Sequence, residues 1–96
     1  MILILDESHF TLTGGVYYSV PFQLEELDNF MSVEVTLTGN GSVDIDQSID
    51  ETTWFATIDT TFDCAPSGLQ TFSDCQPKLY FRLRSVTEFV SARILL

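Results

Sequence analysis

Basic residues are missing from the first four fifths of this 96-residue chain, where no Lys or Arg precedes Lys78. Residues 1–77 hold thirteen acids and no base, a charge of −13. Residues 78–96 hold Lys78, Arg82, Arg84 and Arg93 against Glu88, a charge of +3, and the two parts make the formal net charge of −10. An acidic body of this kind repels phosphate backbones, which excludes nucleic acid as a partner, and anionic membrane surfaces are disfavoured for the same reason. Good helix formers are scarce as well, with three Ala and one Lys. Long apolar runs are lacking. Residues 1–5 are apolar but have no basic flank and meet Asp6 and Glu7 at once, so neither a secretory signal nor a membrane-spanning helix is expected. The chain is expected to be made in the cytoplasm.

The usual machinery of catalysis is also missing. There is one His, there are two Cys, and no Gly-rich phosphate loop, Ser-His-Asp arrangement or zinc signature occurs. His9 is distant in sequence from both cysteines, which leaves Cys–His catalysis without a specific pattern. No enzymatic activity, cofactor or metal is therefore expected. Asp44, Asp46 and Asp50 invite a calcium reading. A loop counted from Asp44, however, has Ile49 where the Gly of an EF-hand stands and Phe55 where its bidentate Glu stands.

What is present points to β-structure. Hydrophobic residues make up 45% of the chain and aromatics 12%, the latter as eight Phe, three Tyr and one Trp. That composition excludes disorder and favours strands. The length suits one domain over residues 1–96. Strands are predicted at residues 2–5, at 9–13 ending on Gly14-Gly15, and at 16–20 stopped by Pro21. Residues 22–30 read as a helical turn or a loop. Val33, Val35 and Leu37 alternate with Glu34, Thr36 and Thr38, the pattern of a half-buried strand. Asn40-Gly41 predicts a type I′ hairpin. Its return strand would turn Val43, Ile45 and Ile49 inward and Asp44, Asp46 and Ser48 outward. After a turn at 50–52, Trp54, Ala56 and Ile58 share a face. Residues 61–77 form a looser region, and the chain finishes in a hairpin with Leu79, Phe81 and Leu83, then Val90, Ala92 and Ile94, inward. Seven or eight short strands so spaced predict an antiparallel, jelly-roll-like β-sandwich.

Three groups of residues are candidates for function. Arg82 and Arg84 share the outward face of one predicted strand and Arg93 that of its hairpin partner. Like charges on one sheet face need acids to meet them, either Asp44 and Asp46 internally or acids of a second subunit or partner externally. The apolar ends, Ile2, Leu3 and Ile4 with Leu95 and Leu96, either pair within a sheet or are buried in an interface. Cys64 and Cys75 form a disulfide or stay as two thiols. Tyr17, Tyr18, Trp54 and Tyr80 offer rings that could stack on sugars, as in a carbohydrate-binding or adhesin module.

The run from Leu27-Asp28-Asn29-Phe30 through Val33–Gly39 and Ser42-Val43-Asp44-Ile45-Asp46 to Trp54, followed by Leu79-Tyr80-Phe81-Arg82-Leu83-Arg84, resembles small β-sandwich structural proteins of tailed bacteriophages. Where that family has Gly in the turn before the Trp, this chain has Glu51. The resemblance implies a virion structural protein, foremost a capsid decoration (cement) protein or a fibre component. It would be a homo-oligomer, located in the virion, with the major capsid protein or another virion protein as partner.

Overall fold

The computed structural model describes residues 1–24, 30–57, 60–73, 75, 76 and 78–96. The predicted readings at residues 25–29 and at Ile58 lie outside the described residues. The strands are β1 (Ile2–Leu5), β2 (Phe10–Thr13), β3 (Val16–Ser19), β4 (Phe22–Gln23), β5 (Met31–Leu37), β6 (Gly41–Ser48), β7 (Phe55–Ala56), β8 (Phe62–Cys64), β9 (Ser67–Phe72), β10 (Tyr80–Ser85) and β11 (Phe89–Leu95). A single 3-10 turn, Glu7–His9, separates β1 from β2.

Two antiparallel sheets form a β-sandwich, as the alternation of the sequence predicts. One sheet has four strands in the order β1-β11-β5-β9. The other runs β2-β3-β10-β6-β7, with β4 also on β10 and β8 also on β6. Alternate residues of the central strands fill the space between the sheets. Val33, Val35, Ala92 and Ile94 come from the smaller sheet, and Val43, Ile45, Phe81 and Leu83 from the larger. Phe10 stacks on Phe89 with ring centroids 4.3 Å apart, tying the start of β2 to the opposite sheet. A Leu truncated to Ala at such a position costs about 2–5 kcal/mol, because the close-packed neighbours cannot fill the void.

The chain crosses from sheet to sheet more often than its turn signals suggest. β5 and β6 are not a hairpin: β5 pairs with β11 and β9, and β6 pairs with β10. Asn40-Gly41 therefore carries the chain across the sandwich, and neither residue has a positive φ. Gly41 is needed for a different reason, since a Cβ there would collide with the side chain of Thr87. The two-residue turn with positive φ at both positions is Gly14-Gly15 (60° and 83°), between the paired residues Thr13 and Val16. The final pair of strands is not a hairpin either, because β10 and β11 belong to opposite sheets.

Further differences follow from local packing. A register shift between Phe89 and Ser91 turns Val90 outward. Ile49 lies beyond the end of β6 and is exposed, as is Ala56 at the sheet margin, and Trp54 is half-buried on the outer surface. β9 lies in the region expected to be loose; its mostly exposed residues show no apolar alternation, and pairing with β5 makes it a strand. Pro21 interrupts the row that β3 and β4 form along β10. The Ser19 hydroxyl fills that gap, accepting a 2.8 Å hydrogen bond from the backbone N–H of Leu83.

Candidate functional site

The outer faces of the two sheets differ in chemistry. On the larger sheet the register sets Arg84 beside Asp44 and Arg82 beside Asp46. Asp46 is only 4% exposed and receives the Nε of both Arg82 and Arg84 at 3.0 Å. Arg84 also reaches Asp44 at 3.3 Å, and the Thr61 hydroxyl donates to the same carboxylate. The guanidinium of Arg82 lies over Tyr18 at 4.1 Å and over Trp54 at 4.4 Å, within cation–π range of both rings. Asp46, expected to face solvent, is buried because these side chains cover it.

Asp50 serves a turn. Its carboxylate accepts from the backbone N–H groups of Thr52 (2.9 Å) and Thr53 (3.0 Å) and from the Ser48 hydroxyl, which itself accepts from the N–H groups of Asp50 and Glu51. Those donors hold Asp50 well below the usual carboxylate range. The network fixes Glu51 at φ 65°, so the non-glycine residue takes the left-handed conformation that glycine adopts most easily. Among the described residues, no group of three or more His, Cys, Asp or Glu is placed to hold a metal ion.

The smaller sheet presents two rows across its outer face: Ile2, Leu95, Ser32 and Thr71 in one, and Ile4, Arg93, Glu34 and Leu69 in the next. Ile2, Ile4, Leu69 and Leu95 are 55%, 67%, 65% and 52% exposed. Exposed Phe30 extends the patch beside Leu95 and Ser32. The polar side chains between them are satisfied in cross-strand pairs. Arg93 donates to Glu34 through Nε (2.8 Å) and Nη2 (3.0 Å), Ser32 bonds Thr71 (2.9 Å), and Thr36 bonds Ser67 (2.9 Å). The Arg93 hydrogen bonds hold Glu34 below its ordinary range, and Glu34 raises Arg93 in turn. An apolar face whose polar groups already have partners and whose two charges cancel is cheap to dehydrate.

The candidate residues are thus redistributed. Arg82 and Arg84 share one outer face, as expected, but Arg93 lies on the opposite side of the sandwich, since β11 joins the other sheet. All three arginines meet carboxylates of their own chain, the internal one of the two alternatives. Of the apolar ends, Ile2, Ile4 and Leu95 face outward. Leu3 packs against the core, and Leu96 is buried in it, its N–H bonded to the carbonyl of Met1. Cys64 is a buried free thiol, so the bridge to Cys75 is not formed. Burial pushes the Cys64 thiol up, with Asp63 adding to the effect. Cys75 packs at the core margin with its Sγ 3.8 Å from the carbonyl oxygen of Phe72. His9 belongs to a capping box, its Nδ1 accepting from the N–H of Asp6 at 3.0 Å.

Tyr17 faces the core and Tyr18 faces out, so the aromatic residues do not form one platform. A cavity of about 280 Å³ lies elsewhere, with Gln47, Gln70, Thr57 and Thr60 on its walls beside Phe72 and Phe81. Among the described residues, the buried hydroxyl of Thr57 has no hydrogen-bond partner. The sequence gives no signal of this cavity, whose lining residues are scattered along the chain.

No family model matches the chain, and no curated protein matches it. A solved structure described as "CBM4 structure and function" aligns with 97% of this chain and 81% of its own, at 10% identity and a TM-score of 0.47. Among the described residues no helix is long and apolar enough to cross a membrane.

Proposed function

We propose that the protein is a non-catalytic docking module that binds another protein through the outer face of its four-stranded sheet. The observation that carries this reading is the set of Ile2, Ile4, Leu69 and Leu95 standing exposed around the bidentate Glu34–Arg93 pair. Such a face resembles the centre of a protein interface in its raised apolar area and its lack of unpaired charge. The remainder of the acidic surface keeps the free module soluble. A virion structural subunit, a capsid decoration protein on the major capsid protein, is the specific form of this reading, and the sequence resemblance is its support.

Co-sedimentation with assembled particles tests it. Wild-type protein is expected to pellet with the particles, and the double variant Leu69→Lys/Leu95→Lys to remain in the supernatant with its fold intact. Equal pelleting of both proteins removes the proposed face, and absence of wild-type binding removes the virion form.

A second reading, a saccharide-binding module, is favoured by the amide and hydroxyl groups that line the cavity over Phe72 and Phe81, where the Thr57 hydroxyl meets no partner among the described residues. Chemical-shift changes confined to Gln47, Gln70 and Thr57 on titration with oligosaccharides would support it. A glycan array without hits would retire it.

A further inference from the structure

We propose that two copies of this chain pair through the free edge of β1, in an antiparallel, two-fold arrangement that joins their four-stranded sheets into one. The starting point is the direction of the backbone groups. The Leu96 N–H donates to the Met1 carbonyl, and the register continues as Ile2 opposite Leu95, Leu3 opposite Ile94, Ile4 opposite Arg93 and Leu5 opposite Ala92. In an antiparallel ladder hydrogen-bonded and non-bonded pairs alternate. Leu3 and Leu5 therefore exchange bonds with β11, while the N–H and C=O of Ile2 and Ile4 point away from it. β1 is the end of its sheet, so among the described residues no strand meets those groups.

The edge is short, four residues, but two of the usual protections are absent from it. Ile2–Leu5 contains no charge and no proline, whereas natural edges are normally guarded by one or the other. A second β1 also fits by register. Opposed residues must lie on the same face, and Ile2 and Ile4 face outward while Leu3 and Leu5 face inward. Setting Leu3 on the two-fold axis against its own copy puts each Ile2 opposite Ile4 of the other chain. Every free N–H and C=O of Ile2 and Ile4 then finds a partner, and the isoleucine side chains meet in pairs. Sliding the register to centre on Ile4 instead brings Ile2 against Asp6, whose N–H is already held by His9. The Leu3-centred arrangement is the one that leaves no backbone group over.

This deepens the docking reading, because the joined sheets merge two apolar faces into one, but it stands on the edge and not on the face. With −10 on each chain, pairing is expected to strengthen as salt screens the repulsion.

Sedimentation equilibrium of the full chain, at low and at high salt, reads the association. Ile4→Pro removes an outward N–H and no bond to β11. It is expected to weaken the dimer roughly thirtyfold or more, from two lost hydrogen bonds, with an unchanged β-sheet circular-dichroism spectrum. Leu69→Lys, on the far side of the same face, is expected to leave the dimer intact while abolishing particle binding, which separates failure of this proposal from failure of the docking reading. Amide exchange on wild-type protein supplies a readout independent of any variant: the Ile2 and Ile4 N–H groups become protected as concentration rises. A wild-type chain monomeric at high salt, an Ile4→Pro dimer of wild-type strength, or Ile2 and Ile4 amides exposed at all concentrations would each overturn the proposal.

Discussion

On the outer face of the seven-stranded sheet a carboxylate is buried under two guanidinium groups, whereas on the four-stranded face one ion pair lies open among aliphatic side chains. Both faces contain Arg–carboxylate pairs bound through Nε at close to 3 Å. Their surroundings decide what the pairs do. Asp46 has lost its water and depends on Arg82 and Arg84, which are packed in turn by Tyr18 and Trp54. Glu34 and Arg93 keep access to water, and their pairing cancels charge on a face that is otherwise apolar. The lesson is that an ion pair holds structure where it is dehydrated and prepares a surface where it is not.

The contrast is broken most directly at the two carboxylates. Asp46→Ala leaves Arg82 and Arg84 without their shared acceptor. It is expected to cost about 2–3 kcal/mol by urea denaturation, less than a fully buried pair would lose because both arginines can still reach water. Glu34→Ala is expected to shift the midpoint far less. Equal losses would mean that burial does not distinguish the two faces.

Acid titration sharpens the comparison next. Asp50 and Glu34 are both held below their ordinary range, so the stability they contribute is complete above the unfolded carboxylate pKa and is lost as pH falls through the lower folded values. Thermal melts below about pH 4 should show this decline. The Glu34 share depends on a solvent-exposed charge and should shrink in high salt. Asp50 is bonded to backbone N–H groups, so its share should persist and should shrink in Asp50→Asn.

The smallest effect is expected at Glu51. Its φ of 65° suits glycine better, and Glu51→Gly is expected to stabilise the fold by about 0.5–1 kcal/mol in the same denaturation assay. A loss of stability there would show that the Glu51 side chain contributes more than its backbone strain costs.

Much of the fold was legible because its signals are local. The alternation in residues 33–37 and the stop at Pro21 each act within a few residues, and each is matched by a strand or a strand end. The candidate faces were legible in part. That Ile2, Ile4 and Leu95 would need a sheet or an interface followed from their position and apolarity. Leu69 was missed because β9 carries no alternation of its own and becomes a strand only by lying against β5.

The sequence by itself determined the class of fold, the outward alternation of Arg82 with Arg84, and the acidity of the body, since all three depend on composition or on a period of two. Tertiary structure alone decided which sheet each strand joins. Asn40-Gly41 has the residues of a tight hairpin, yet β5 pairs with β11 and β9 and β6 with β10, strands distant in sequence that no local signal could select. The same separation of β10 from β11 sends Arg93 to the far face of the sandwich. There it neutralises Glu34 and leaves an apolar surface around the pair, while Arg82 and Arg84 close over Asp46 on the other side.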